Sequence, residues 1–419
     1  LIYLFKSVYF NTDKRKTMKG IILAAGQGND LKPLTNHLPK PMIKILDKPL
    51  IQFAVDRLTH CGIQEIIIVI PKDDVLITSY FQQTPQNSHI EFVNQTGKGI
   101  DGAIKSVSKM FNEDDQFLLT HSDIVTADHI TTRTLNAAHN SGADMAIAVS
   151  LEREVQDFGM VSIDSDGYVD EILSPNETDK SNYIVAGTFL LNGKIFNYLN
   201  QGVPFNDCFN HFISDGGKIV AGIWNDTWID VGRPWDVLRA SYFMLKKLNV
   251  SYISSNVEIG ANVEINGPVI IEDGVKILNG TIINGPVHIG ENAFIGNNTL
   301  IRDNTSIQDN AKIGMGVEIR SSIIMSNASI ARLSYIGASI IADNVTIHSG
   351  VITIVNNSPP SEIHASLSDG SSHIVPLNKF GAVIGSNSHI GVHTSLKPGT
   401  IINSNSIIEP NQVCNGWVE

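Results

Sequence analysis

The 419-residue sequence predicts two folds in series, an α/β domain with a mostly parallel sheet and then an all-β domain that winds as a parallel β-helix. Two observations carry this. In the first part, short aliphatic runs alternate with stretches of helical spacing, the pattern of βαβ units whose strands are covered on both faces. In the second, an aliphatic residue returns at every sixth position from Ile259 through Ile265, Ile271, Ile277, Ile283, Ile289, Ile295, Ile301, Ile307, Ile313 and Ile319 to Met325. A six-residue period is that of a β-helix whose in-phase side chains stack into one core. The change of character falls at about Asn249. The expected division is therefore a domain over 18–248 and a second over 249–419, with 1–17 a tail or a start-site artefact upstream of Met18.

The run from Gly20 to Ala25 reads as a buried parallel strand. It stops at Gly26-Gln27-Gly28-Asn29, where glycines permit positive φ and leave backbone N–H groups open to an anion. Lys40 follows between Pro39 and Pro41, which hold their segment extended. Strand, glycine turn and positioned lysine together point to phosphate. Neither a Walker A loop nor a G-x-G-x-x-G fingerprint is present, since Leu31 stands where the third glycine belongs. Leu50, Phe53, Ala54 and Leu58 have helical spacing, and Glu65 to Ile70 is a second strand. Helix 75–81, strand 89–93, helix 101–110 and strand 117–120 continue the alternation. Ligand-contacting residues should then fall just after the strands.

The whole stretch Leu23 to Gly26, Gly28, Leu31, Pro33 to Thr35 and Pro39 to Met42 resembles the signature L-A-A-G-x-G-T-R-L-x-P-L-T…P-K-P of the sugar-1-phosphate nucleotidylyltransferases. The resemblance implies a Rossmann-like nucleotidyltransferase domain. It also implies that Ala25, Gly26 and Gly28 bind nucleotide and that Lys40 is catalytic. The family's Thr-Arg pair is Asn29-Asp30 here, so a carboxylate replaces a cation beside the triphosphate. Gln95 and Gly99 match the segment that touches base and ribose. Asp123 and the Asp230 of Trp228-Ile229-Asp230-Val231-Gly232 match two aspartates that hold magnesium, a hard cation suited to one or two carboxylates plus phosphate oxygens. Gly187 of Ala186-Gly187-Thr188-Phe189 matches a sugar-binding glycine. Leu173-Ser174-Pro175 falls where the family has an E-K-P motif, without its charged pair.

In the repeats, Val263, Val269, Thr281, Ala293 and Ala311 are the small or β-branched partners of the isoleucines, and Asn, Asp and Gly crowd the turns. The phase is expected to break between Ala331 and Ala382 and to resume at Ile384, Ile390, Leu396, Ile402 and Ile408. Leu333-Ser334-Tyr335-Ile336-Gly337 and Lys379 to Gly385 resemble segments of archaeal proteins that join a nucleotidylyltransferase to an acetyltransferase. That resemblance implies a left-handed winding and a trimer. Arg332 stands where the general-base histidine would be, and an arginine cannot take a proton from an amine.

A net charge of −12 argues against nucleic acid or anionic membrane as partners, because both require a basic face. Cys61, Cys208 and Cys414 lack metal-ligand spacing and read as reduced thiols of a cytoplasmic protein. The expected partners are an NTP and a sugar-1-phosphate, with Mg2+ as cofactor. The expected assembly is a homo-oligomer or a hetero-oligomer with an active paralogue. Two alternatives stand beside nucleotidyl transfer: a sugar-nucleotide-sensing regulatory paralogue, suggested by Asp30, and an acyltransferase running on the β-helix.

Overall fold

A computed structural model describes residues 18–151, 159–173, 181 and 183–419. They pack as two compact units. The first joins the described residues up to Gly26 to Leu50–Asp230, and the second joins Gln27–Pro49 to Val231–Glu419. The hexapeptides begin near Asn249, but packing groups a short N-terminal segment and the helix before the repeats with the coils.

In the first unit the chain runs β1 (Lys19–Leu23), α1 (Leu50–His60), β2 (Glu65–Ile70), α2 (Leu76–Gln83), β3 (His89–Asn94), α3 (Gly99–Lys105), β4 (Gln116–His121), β5 (Ile124–Thr126), α4 (Ile130–Ser141) and β6 (Met145–Ser150). It continues β7 (Met160–Ile163), β8 (Val169–Leu173), β9 (Tyr183–Asn192), α5 (Ile195–Asn200), α6 (Phe205–Ser214), β10 (Ile219–Trp224) and β11 (Trp228–Asp230). The sheet order is β8-β7-β9-β4-β1-β2-β3, with β6 between β9 and β10. β4, β1, β2 and β3 are parallel, with Leu23 opposite both Val69 and His121. β9 runs antiparallel to β4 and β6. Ile21, Ile67, Val69, Phe117 and Leu119 of the parallel strands are buried with Phe189, Phe205 and Phe209, each side chain contributing about 1.5–3 kcal/mol.

β1 ends at Leu23 rather than Ala25, although Ala24 N–H still donates to Val69 O at 2.8 Å. The helix expected over 101–110 is a short α3 followed by a 3-10 turn, Ser108–Met110. The Ser106 hydroxyl donates to Gly102 O at 2.7 Å and accepts from Thr96 N–H at 2.9 Å. Such side-chain bonds compete with helix continuation.

The second unit is three parallel sheets wound as a β-helix. Ile271, Ile289 and Ile307 stack on one face, Ile277, Ile295 and Ile313 on another, and Ile283, Ile301 and Ile319 on the third, all fully buried. Asn292, Asn298, Asn310 and Asn327 turn corners with left-handed backbone, which asparagine tolerates better than other non-glycine residues.

The six-residue phase slips earlier than the sequence suggests. Leu300 faces Glu318, but Ser306 faces Ile323, so this coil is one residue shorter. Ile324, not Met325, takes the inward place above Ile307. A second slip lies between Ile336 and Ile341, and the corners at the two slips, Ser321 and Ala338, have positive φ. The coils then run on through Ile347 and Thr353. The interruption is confined to 356–380, which carries the antiparallel pair His364–Ser366 and Ser372–Ile374, and Ile340 next faces Val383.

Candidate functional site

Because β1, β2, β3 and β4 are parallel and in register, Ala25, Gly26, Gln95 and Asp123 all leave the sheet at its carboxyl edge. Ser122 N–H donates to Leu23 O at 3.2 Å, binding the exit of β4 to that of β1. Asp123 follows directly, and β5 then pairs antiparallel with β11. In that register Asp230 is opposite Ile124, the neighbour of Asp123. Two aspartates separated by a long stretch of chain therefore come to the same end of one two-stranded ribbon, Asp230 within it and Asp123 directly before it. Thr126 Oγ1 donates to Thr227 O at 2.7 Å at the ribbon's other end.

Gly187 belongs to the same neighbourhood. It lies where β9 changes register between Val185 and Phe189, with φ of 62°. A Cβ there would collide with Ile124 Cδ1 and touch the His121 ring at 3.4 Å. Glycine is required by both the bulge and the close approach. Trp228 Nε1 donates to Ala186 O at 2.9 Å and locks β11 against this bend. The structure thus brings Asp123, Asp230 and Gly187 together.

Gln95 begins the loop after β3. Its amide Nε2 donates to Gly97 O at 2.6 Å and Gly99 O at 2.9 Å, holding the loop on itself. Gly97 and Gly102 touch backbone to backbone, leaving no room for a Cβ on Gly102.

Gly28, Asp30 and Lys40 belong to the second unit. Gly28 has φ of 63°, and a Cβ on it would be 2.9 Å from Lys40 Cβ. Thr35 Oγ1 donates to Gly28 O at 2.7 Å. Gly28 and Lys40 are therefore neighbours, and Asp30 is exposed in the 3-10 turn Asn29–Leu31. Ser174 and Pro175 lie outside the described residues.

The donor set at Asp123 and Asp230 fits a magnesium ion, which takes one or two carboxylates and completes its shell with water and substrate phosphate. No cluster of three or more His, Cys, Asp or Glu that could hold a metal ion occurs among the described residues.

One buried neighbour of this turn escapes sequence reading. Arg57 of α1 is only 1% exposed and donates through Nη1 to Ile124 O at 2.7 Å. In sequence it is a basic residue in the last turn of a helix, which reads as a solvated partner of the helix dipole. The one signal was its place among Phe53, Ala54 and Leu58. Burial pulls its pKa down to about 10, against the pull of Asp128, Asp123 and Asp56, so it remains charged near neutrality.

In the β-helix a cavity of about 220 Å³ is lined by Tyr242, Arg320, Ala338, Val355, Asn378 and Lys379, among others. Its lining includes neither Arg332, which is exposed, nor a histidine or carboxylate.

The nucleotidyl transferase family matches residues 19–247. The chain belongs to that family. Within the coils, the hexapeptide repeat of succinyl-transferase matches 253–284 and the GMPPB C-terminal domain matches 283–358. The chain is similar along nearly its whole length to the bifunctional protein GlmU of Methanocaldococcus jannaschii, 33% identical over 93% of this chain and 92% of that protein. It is likewise similar to a bifunctional sugar-1-phosphate nucleotidylyltransferase/acetyltransferase of Sulfurisphaera tokodaii, 31% identical over 95% and 97%. The fold covering 55% of the chain is shared with a UDP-glucose pyrophosphorylase of Acinetobacter baumannii, with TM-score 0.50, 20% identity and 94% of that structure covered. A glucose-1-phosphate thymidylyltransferase of Bacillus anthracis gives TM-score 0.50 at 23% identity, covering 56% of this chain and 98% of that one. The chain thus carries a nucleotidyl transferase match followed by hexapeptide repeats. No helix among the described residues is long and apolar enough to cross a membrane.

Proposed function

We propose that the chain is a sugar-1-phosphate nucleotidylyltransferase. A phosphate oxygen of the sugar-1-phosphate attacks the α-phosphorus of an NTP, the bond between α-phosphorus and the bridging oxygen breaks, and NDP-sugar and pyrophosphate result. In this reading the catalytic part is 18–248 and the β-helix is 249–419. The backbone N–H groups of Ala25, Gly26 and Gly28 and the ammonium of Lys40 neutralise phosphate oxygens as negative charge shifts to the leaving group. Gln95 reads the base, Gly99 admits the ribose, and Gly187 lets the sugar lie against backbone. Asp123 and Asp230 hold Mg2+, which supplies charge neutralisation across the phosphates when bound.

The observation that supports this most is the register of Asp230 with Ile124, which brings the chain positions of two distant motifs side by side next to Gly187. The Sulfurisphaera tokodaii relative, named for the same nucleotidyl transfer, supports the reading. The test is incubation with MgCl2, each of ATP, CTP, GTP, UTP and dTTP, and a panel of sugar-1-phosphates, following pyrophosphate. Release with at least one pair is expected.

A second reading rests on Asp30, exposed in the turn after Gly28. A carboxylate in place of a cation repels a triphosphate, and such a chain would bind sugar nucleotide and regulate an active partner. Tight NDP-sugar binding with no turnover for any pair selects that reading. On the coils, Arg332 stays protonated and supplies no general base for acetyl transfer.

A further inference from the structure

Arg57 is a buried cation for which nucleotidyl transfer has no direct use. It is held in α1 between apolar neighbours, and its charge is directed to backbone. Nη1 donates to Ile124 O at 2.7 Å, while Nη2 makes longer contacts to Thr120 Oγ1 at 3.4 Å and His121 O at 3.5 Å. Its Nε–H has no hydrogen-bond partner among the described residues. The acceptors bracket the turn: His121 O lies two residues before Asp123, and Ile124 O lies one after it. Ile124 is also the strand partner of Asp230. A planar guanidinium with donors in fixed directions therefore reaches both ends of the turn carrying one carboxylate and, at Ile124, the strand position opposite the other.

A solvated or merely space-filling arginine would not need this arrangement. Placing a guanidinium in the interior carries a desolvation cost, and leaving one of its donors unpaired adds to that cost. A methionine or leucine would fill the same helix position without either.

We propose that Arg57 is the positioning residue of the divalent-cation site, setting the Asp123 turn so that Asp123 and Asp230 can coordinate one ion together. The inference rests on the proposed function. It requires no contact between Arg57 and substrate, and its consequence is graded. When Arg57 is replaced, both carboxylates remain but their mutual geometry relaxes, so cation affinity falls more than affinity for nucleotide alone. Residues that orient metal ligands typically contribute about 10- to 100-fold in metal affinity.

The experiment uses the full chain and two variants, Arg57→Lys and Arg57→Met, with Mn2+ as the probe. Mn2+ bound to the chain is read by electron paramagnetic resonance with NTP present, against a protein-free Mn2+–NTP blank at the same concentrations because NTP itself chelates the ion, and metal-free NTP affinity is read by calorimetry in EDTA. Thermal unfolding checks the fold. Arg57→Lys keeps the charge but loses the fork, so Mn2+ affinity is expected to fall about 10-fold or more while metal-free NTP affinity changes less than about twofold. Arg57→Met is expected to fall further, with partial recovery on adding guanidinium chloride at low millimolar concentration.

Wild-type Mn2+ affinity in both folded variants overturns the proposal and leaves Arg57 a packing residue. Failure of both variants to fold overturns it too, in favour of a role in stability alone. If the wild-type chain itself binds no Mn2+ with NTP, it is the reading of Asp123 and Asp230 as the cation site that fails. The two failures are thus distinguishable.

Discussion

Lys44 Nζ lies 2.9 Å from Asp309 Oδ2, joining the segment that carries Gly28 and Lys40 to a corner of the β-helix. The same segment meets the coils elsewhere. Asn36 Nδ2 donates to Asn403 Oδ1 at 2.8 Å, Ser404 Oγ donates to Pro33 O at 3.2 Å, and a Cβ on Gly385 would be 2.7 Å from Pro33 Cβ. The glycine turn and lysine of a nucleotidyl transferase motif are thus packed on repeats that begin some two hundred residues later. Both partners of the ion pair are about a third exposed, so the pair itself contributes at most about 1 kcal/mol. Asp309→Ala should lower the unfolding midpoint by about 1–3 °C and raise the KM for NTP more than it lowers kcat. Steady-state kinetics alongside thermal unfolding check this, and an effect on kcat alone would contradict it.

Asp343 is close enough to feel both members of that pair. Burial, first, and the neighbouring Asp309 raise its pKa, while backbone donors and Lys44 act in the opposite direction. A carboxyl with a folded pKa above its unfolded one contributes stability that is full below the unfolded value and lost as pH rises through the folded one. Asp343→Asn should therefore gain stability relative to wild type as pH rises from about 4 to 7. Urea midpoints at pH 4, 5, 6 and 7 give the difference, and a constant difference would refute the assignment.

Asp230→Asn and Asp123→Asn each remove one carboxylate from the ribbon. In the proposed role each is a cation ligand, whose loss is expected to cost several kcal/mol in the transition state, so pyrophosphate release should fall at least about 100-fold. Asp226→Asn, in the exposed turn before β11, serves as the control and should stay within about twofold.

Gly187→Ala places a methyl against Ile124 Cδ1 in a left-handed backbone. Strain and overpacking together should cost about 2–4 kcal/mol. Because Ile124 adjoins Asp123, the half-saturating Mg2+ concentration should rise as well. Denaturation and a Mg2+ titration of activity would show it; a tolerated alanine would mean that β9 relaxes freely.

Asp30→Arg restores a charge-assisted donor where the motif has one. Such a donor is worth about 1.5–3 kcal/mol, so pyrophosphate release should rise by roughly 10- to 100-fold. An unchanged rate would place residue 30 away from the phosphates.

Much of this architecture is visible in the residues alone because its signals are local. Apolar runs, helical spacing and the six-residue return of isoleucine each depend on neighbours along the chain, and they name the α/β part and the coils. Asn292 and Asn298 at corners follow from the same logic, since a left-handed turn selects its residue locally. The stretches that resemble the family signature are recognisable for a similar reason: Gly28, Lys40, Asp123 and Asp230 each sit in a short string.

Pairings between distant strings are a different matter. That Asp230 faces Ile124 depends on the register of β5 with β11, and that the 27–49 segment packs with the coils depends on Pro33, Asn36 and Lys44 finding partners beyond residue 300. Arg57 shows the limit most sharply. Its place among Phe53, Ala54 and Leu58 puts it on the apolar face of α1, but only the arrival of the Asp123 turn over that face makes it a buried donor to Ile124 O. Periodicity reports which face of an element is apolar; it carries no information about which other element will cover that face.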